Sequence, residues 1–304
     1  MRIAVLAALL ACLPALALAQ AMPGTADLDP VARGSYLVNA VAGCVNCHSP
    51  KDEQGRPTME NSLSGGRPGG VWFVTPAFAV SPPNLTPDVE TGIGSWSDDD
   101  IKRAVLEGIR PAHDPLPNVP LAPTMYKNYF KALLPRDLDA IVAYLRTVPA
   151  VRHAVPAPVY RAIAPAAPSP DAGMVYSEAD MKDPVRRGRY LATLAHCMAC
   201  HSGRAGAVSD HVNGLGKGGW VLDSTVIRGY PAQWKSSTAS NITSDPVAGI
   251  GAWTDAQIKR AITQGVSRDG RRLGPPMAYS VYARMTQEDL ASIVAWLRSI
   301  PPLQ

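Results

Sequence analysis

The sequence predicts a mainly α protein of two tandem domains joined by a Pro/Ala-rich linker, and three observations predict it. First, the chain is written twice. DPVARGSYLVNAVAGCVNCHS from Asp29 is answered by DPVRRGRYLATLAHCMACHS from Asp183, and NLTPDVETGIGSW from Asn84 by NITSDPVAGIGAW from Asn241. DLDAIVAYLRTVP from Asp137 is answered by DLASIVAWLRSIP from Asp289, in the same order, as in a duplicated domain. Second, apolar residues recur with helical spacing. Third, residues 149–182 are rich in proline and alanine, a composition that favours extended chain over packed helix.

In chain order, the N-terminus comes first. Arg2 precedes a long apolar run, and Ala17 and Ala19 flank Leu18 in an A-x-A pattern, so residues 1–19 read as a secretory signal peptide. A retained anchor is the alternative, opposed by Pro14 and the small-residue cleavage pattern. A lipoprotein at Cys12 fits less well, because the apolar run continues past it. No later stretch is long and apolar enough to span a bilayer. The expectation is an exported, periplasmic protein with a first domain at 20–148, a linker at 149–182 and a second domain at 183–304.

The helices follow from period and caps. Leu138, Ile141, Val142 and Leu145, and again Leu290, Ile293, Val294 and Leu297, form one stripe of an amphipathic helix. Pro149 and Pro301 end these two helices. Thr254 to Gln257 has the form of a capping box, Ser97 to Asp100 is a looser version, and Gly108 and Gly265 fall at the expected C-termini. Gly34 and Gly188 would let the first and last helices of each half approach closely. Tyr36 with Tyr144, and Tyr190 with Trp296, are candidates for aromatic contacts where those helices cross. The Gly/Pro-rich stretches after each cysteine pair carry no clean strand periodicity. About three helices per half make a small core that would gain from a large apolar cofactor.

Apart from Cys12, the cysteines are Cys44, Cys47, Cys197 and Cys200, all within C-x-x-C-H. That motif reads as a c-type haem attachment site, two thiols for the two vinyl groups and an adjacent imidazole for the iron. Zinc would need both pairs in one site of four thiolates, yet each pair has its own histidine and its own half. A redox dithiol would want a βαβ setting and leaves His48 and His201 unexplained. The prediction is two covalently bound haem c groups, with His48 and His201 as axial ligands.

Met125 in LAPTMYKNY and Met277 in LGPPMAYSV stand at nearly equal spacings after those histidines, each behind prolines that restrict the loop. The bland reading is core filling; the matched positions favour them as the second axial ligands. His113, His153, His196 and His211 have no counterparts in the other half; His113 is the most credible rival ligand, but the expectation for all four is a surface role or one supporting a ligand. Trp96 and Trp253, in GIGSW and GIGAW, divide between core packing and an indole N–H given to a haem propionate. Arg67 or Lys217 could neutralise propionates.

In these motifs the chain resembles the class I cytochrome c fold, repeated. Its Asn-x-Thr and GIGxW segments are similar to those of the cytochrome c subunits of bacterial membrane-bound alcohol, aldehyde and gluconate dehydrogenases. Those subunits commonly carry three haem motifs; this chain has two and no evident C-terminal membrane segment. The resemblance implies an electron acceptor for a periplasmic dehydrogenase, relaying to a cytochrome, quinone or oxidase, with membrane association only through partners.

Iron with both axial positions filled has no open site for substrate, so the expected chemistry is one-electron transfer and not catalysis. The alternatives are a dihaem enzyme such as a cytochrome c peroxidase, and a free electron shuttle. Residues 20–148 carry a net charge of −3 and residues 183–304 one of +6, through which the two ends could steer different partners. The overall +4, with scattered basic residues, makes no case for nucleic acid.

Overall fold

The computed structural model of the chain describes residues 28–66, 72–117, 119–162 and 168–304; the expected signal peptide and Arg67 lie outside the described residues. Among the described residues, each half holds three longer α-helices and two short ones. In the first half these are α1 (Pro30–Tyr36), which runs into a π turn at Leu37–Val41, α2 (Cys44–His48), α3 (Asp98–Glu107), α4 (Lys127–Phe130) and α5 (Pro135–Thr147). The second half repeats them as α6 (Pro184–Leu194), α7 (Cys197–His201), α8 (Asp255–Gln264), α9 (Tyr279–Tyr282) and α10 (Gln287–Ser299).

Local chemistry sets the helix ends. Asp29 and Asp183 cap α1 and α6 through their side chains, each with proline in the first turn. Both capping boxes form, Ser97 with Asp100 and Thr254 with Gln257. Gly108 and Gly265 close α3 and α8 in the left-handed conformation, at φ 69° and 63°. The predicted stripes on α5 and α10 are buried throughout, and each such side chain contributes on the order of 1.5–3 kcal/mol.

Helix α1 packs on α5, and α6 on α10, at backbone contact. A Cβ at Gly34 would lie 1.8 Å from the Ala140 carbonyl oxygen, and one at Gly188 1.8 Å from that of Ser292. Only glycine permits this crossing.

Among the described residues the loops hold seven strands of two or three residues, too short to leave a period of two in the sequence. β1 (Phe73–Val74), β2 (Phe78–Val80) and β3 (Val159–Tyr160) form one antiparallel sheet in that order, with Phe73 opposite Val80 and Phe78 opposite Tyr160. β4 (Gly203–Ala205) pairs with β5 (Val208–Asp210), and β6 (Val221–Asp223) with β7 (Ser236–Thr238). The 149–182 segment therefore touches both halves. Its β3 joins the first, and its Asp171 binds Arg189 at 2.7 Å and Thr193 at 2.5 Å on α6.

The halves share one hydrophobic core, drawn from the π turn at Leu37–Val41, α5, α6 and α10 together. The sequence assigns Tyr36 and Tyr190 to contacts within their own halves; the structure sends both hydroxyls across. Tyr36 donates to Asp289, which pairs with Arg187, and Tyr190 donates to Asp137, which pairs with Arg33. These six residues are three matched pairs of the repeat.

Candidate haem-attachment sites

Each cysteine pair sits on a five-residue helix entered through a left-handed residue, Gly43 at φ 64° before α2 and His196 at φ 56° before α7. The turn breaks the preceding helix and starts a new one, which brings cysteines three residues apart onto one face. All four are half-buried free thiols. Burial pushes Cys44 and Cys197 up to about 12, Cys200 up to about 11, and Cys47 upward as well. Such protonated thiols are poor candidates for a reactive dithiol, which relies on thiolate. Among the described residues, no three His, Cys, Asp or Glu side chains converge as a zinc centre would need.

The histidines of the motifs are held alike. His48 Nδ1 lies 2.8 Å from the Pro83 carbonyl and His201 Nδ1 2.8 Å from the Ser240 carbonyl. A carbonyl only accepts, so Nδ1 carries the proton and Nε2 keeps its lone pair for a metal. Burial pushes His48 down to about 4 and His201 in the same direction, which keeps both rings neutral.

These carbonyls are held in turn by the residue that follows them. Asn84 Oδ1 accepts from the Thr86 backbone N–H at 2.9 Å while Asn84 Nδ2 donates to the Val151 carbonyl at 2.7 Å. Asn241 does the same with Thr243 at 2.9 Å and Leu303 at 2.6 Å. The chain leaving each last helix is thus tied to the loop that orients the histidine. Sequence reading missed Pro83 and Ser240, because every residue has a carbonyl. The signal that could have found them was the repeated Asn-x-Thr beside them.

Met125 ends a 3-10 turn at Pro123–Met125 ahead of α4, and Met277 occupies the matching turn ahead of α9. Both are half-buried. The other histidines are engaged elsewhere. His113 is exposed, 3.2 Å from the Ser95 carbonyl. His153 donates to the Ser64 carbonyl at 2.8 Å, and His211 lies among Tyr129, Pro168 and Ser202 at 3.0–3.1 Å. His196 stacks on Tyr126 with ring centres 4.7 Å apart.

Trp96 and Trp253 are half-buried against the core, and their carbonyls accept from Arg146 and Arg298, which pair with Asp98 and Asp255. Lys217 is exposed. A duplicated set of paired thiols with a neutral, pre-oriented imidazole fits a covalently held haem in each half.

Comparison with known proteins agrees in both halves. The family model described as Cytochrome c matches residues 31–149 and again 185–301. The gluconate 2-dehydrogenase cytochrome c subunit of Pantoea cypripedii is 29% identical over 89% of this chain and 59% of its own length. The diheme cytochrome c-type protein of Cereibacter sphaeroides is 29% identical over 86% of this chain and 83% of its own. The cytochrome c subunit of the quinone alcohol dehydrogenase of Gluconacetobacter polyoxogenes is 34% identical over 37% of this chain and 21% of its own. The chain thus spans little more than half the length of the first of these, and about a fifth of the last.

Proposed function

The chain belongs to the cytochrome c family, once in each half, and carries two haem c groups; from that premise we propose a one-electron carrier serving a dehydrogenase. Haem c supplies a one-electron couple at its iron, and a thioether ligand raises the potential of that couple. In this reading Cys44 and Cys47 hold one haem covalently and Cys197 and Cys200 the other. His48 and His201 would offer Nε2 to the irons, and Met125 and Met277 would offer sulfur as the second ligand. Trp96 and Trp253 would each offer an indole N–H to a propionate. With an imidazole and a thioether as its ligands, each iron would pass electrons, and substrate chemistry would be left to the partner.

The observation that carries this reading is the matched pair of histidine–carbonyl bonds at 2.8 Å. They orient both rings and set both tautomers before any metal arrives, as a permanent ligand requires.

The relatives named as cytochrome subunits of gluconate and alcohol dehydrogenases support a dehydrogenase as electron donor, which in this reading would be periplasmic. A cytochrome, quinone or oxidase would take the electrons onward. Residues 1–19 would direct export, 20–148 and 183–304 would be the haem domains, and 149–182 would join them. Among the described residues no helix is long and apolar enough to cross a membrane, so membrane association would come through partners.

Mass spectrometry and optical spectra of the mature protein test this reading. It expects two covalent haems per chain and a sulfur-to-iron charge-transfer band accounting for both. A high-spin fraction with peroxide turnover would overturn it in favour of an enzyme. Co-purification with a dehydrogenase separates a subunit from a free shuttle.

A further inference from the structure

Three residues past each motif histidine stands a cation, Lys51 after His48 and Arg204 after His201. Each lies over a tryptophan. The Lys51 ammonium is 4.5 Å from the Trp72 ring centre and 4.8 Å from that of Tyr230, and the Arg204 guanidinium is 4.2 Å from that of Trp220. The negative ring face attracts each charge, more strongly where water is excluded.

Their surroundings differ. Lys51 is half-buried, and its Nζ also donates to Asn46 Oδ1 at 3.0 Å and the Gly55 carbonyl at 2.9 Å. Asn46 lies between Cys44 and Cys47, so this cation is fastened to the first attachment loop. Trp72 beneath it reaches into the second half, where its carbonyl accepts from the Arg228 N–H at 2.8 Å. Trp72 also belongs to a small apolar cluster against which Cys200 packs. Asp52, next in sequence, is taken up by Arg56 at 2.8 Å. Burial lowers Lys51 to about 8, which leaves it protonated at neutral pH. Arg204, by contrast, is exposed.

We propose that Lys51 sets the direction of electron flow, its fixed cation raising the reduction potential of the first haem above that of the second. The inference rests on the reading of the chain as a two-haem carrier. Taking up an electron removes one positive charge from a haem site, so a nearby fixed cation favours the reduced form. Water and salt screen the same effect at exposed Arg204. Electrons entering at the second half then settle on the first.

Spectroelectrochemical titration of the full holoprotein tests this. Met277→His identifies the wave of the second haem. Lys51→Gln should shift the reduction equilibrium of the first haem at least tenfold toward the oxidised form, ~59 mV for one electron. The second wave should move less, and Lys51→Arg should restore the first. Arg204→Gln should shift its own wave by a smaller factor, and covalent haem content and circular dichroism should be unchanged in every Lys51 and Arg204 variant. Unmoved waves in Lys51→Gln, or an equal shift in Arg204→Gln, would overturn the proposal. Absence of two reversible waves in the unaltered protein, or waves indifferent to Met277, would instead overturn the underlying reading of the chain.

Discussion

Tyr190 donates its hydroxyl proton to Asp137, an acid of the opposite half, at 2.6 Å. Its repeat partner Tyr36 makes the same bond to Asp289 at 2.5 Å. Each tyrosine oxygen also accepts the backbone N–H that opens the other half's last helix, Leu134 at 3.3 Å and Thr286 at 3.2 Å. Burial beside a carboxylate raises the pKa of both hydroxyls, so they remain donors.

Tyr190→Phe and Tyr36→Phe each remove one hydrogen bond to a charged acceptor. Each should cost about 1.5–3 kcal/mol. The check is the urea midpoint of the holoprotein, and the double variant should lose more than either single one. A double variant with the unaltered midpoint would refute the role given to the exchange.

Arg33 grips Asp137 with two hydrogen bonds, at 2.9 and 2.8 Å, and the Asp137 side chain has no solvent exposure. Arg33→Met strands a buried carboxylate and should cost roughly 3–5 kcal/mol. Lys102→Met breaks a pair to the largely exposed Asp139 and should cost about 0–1 kcal/mol. Equal losses in a denaturation series would contradict this account.

Gly34→Ala and Gly188→Ala each drive a methyl group into a helix carbonyl. Each should destabilise by about 1–3 kcal/mol or more, seen as a lower thermal midpoint. Gly206→Ala is a useful contrast, because a Cβ there meets nothing within 4 Å. Its cost is confined to the left-handed backbone at φ 62°, roughly 1–2 kcal/mol.

His196 makes the fold sensitive to acid. Burial lowers its pKa to about 3, from an ordinary value of 6.5. Above pH ~6.5 folded and unfolded chains both hold it neutral, and it contributes no pH dependence. Below that, the unfolded chain takes up a proton that the folded one refuses. Stability should then fall by at most about 1.4 kcal/mol per pH unit until about pH 3. His196→Leu should flatten that part of the stability profile.

Asn84→Ala takes the 2.7 Å amide donor from the Val151 carbonyl, leaving only the Thr86 hydroxyl at 3.3 Å, and loosens the loop that holds Pro83 against His48. It should cost about 1–3 kcal/mol and shift the potential of one haem while the other stays in place. Asn241→Ala should do the converse through Leu303 and Ser240. Potentiometry reads both, and a pair of variants that move the same haem would exclude the assignment.

The elements that were legible in the sequence are those whose signal is local. Ser97 with Asp100 and Thr254 with Gln257 announce two helix starts, and the stripes from Leu138 and Leu290 announce the buried faces of two more. The thiol and imidazole positions were legible for the same reason, since one turn of chain holds them. The short strands were hidden because two or three residues cannot display a period. The crossed tyrosines were hidden because Tyr36 and Asp289 stand at opposite ends of the chain with no pattern linking them. Lys51 and Arg204 share an offset from the motif histidines, but the aromatic face under each comes from residues far along the chain, which no local pattern shows. His113 has no counterpart in the other half, and its ring lies exposed beside Ser95.

The tyrosine exchange also limits how the two halves can be arranged. Each half offers the other a hydroxyl and an acid, and both bonds close only about an approximate twofold axis. Sliding or turning one half would strand two donors and two carboxylates at once, with little water to take their place. The two cofactor-bearing loops are therefore indexed to each other like gears cut on a common shaft.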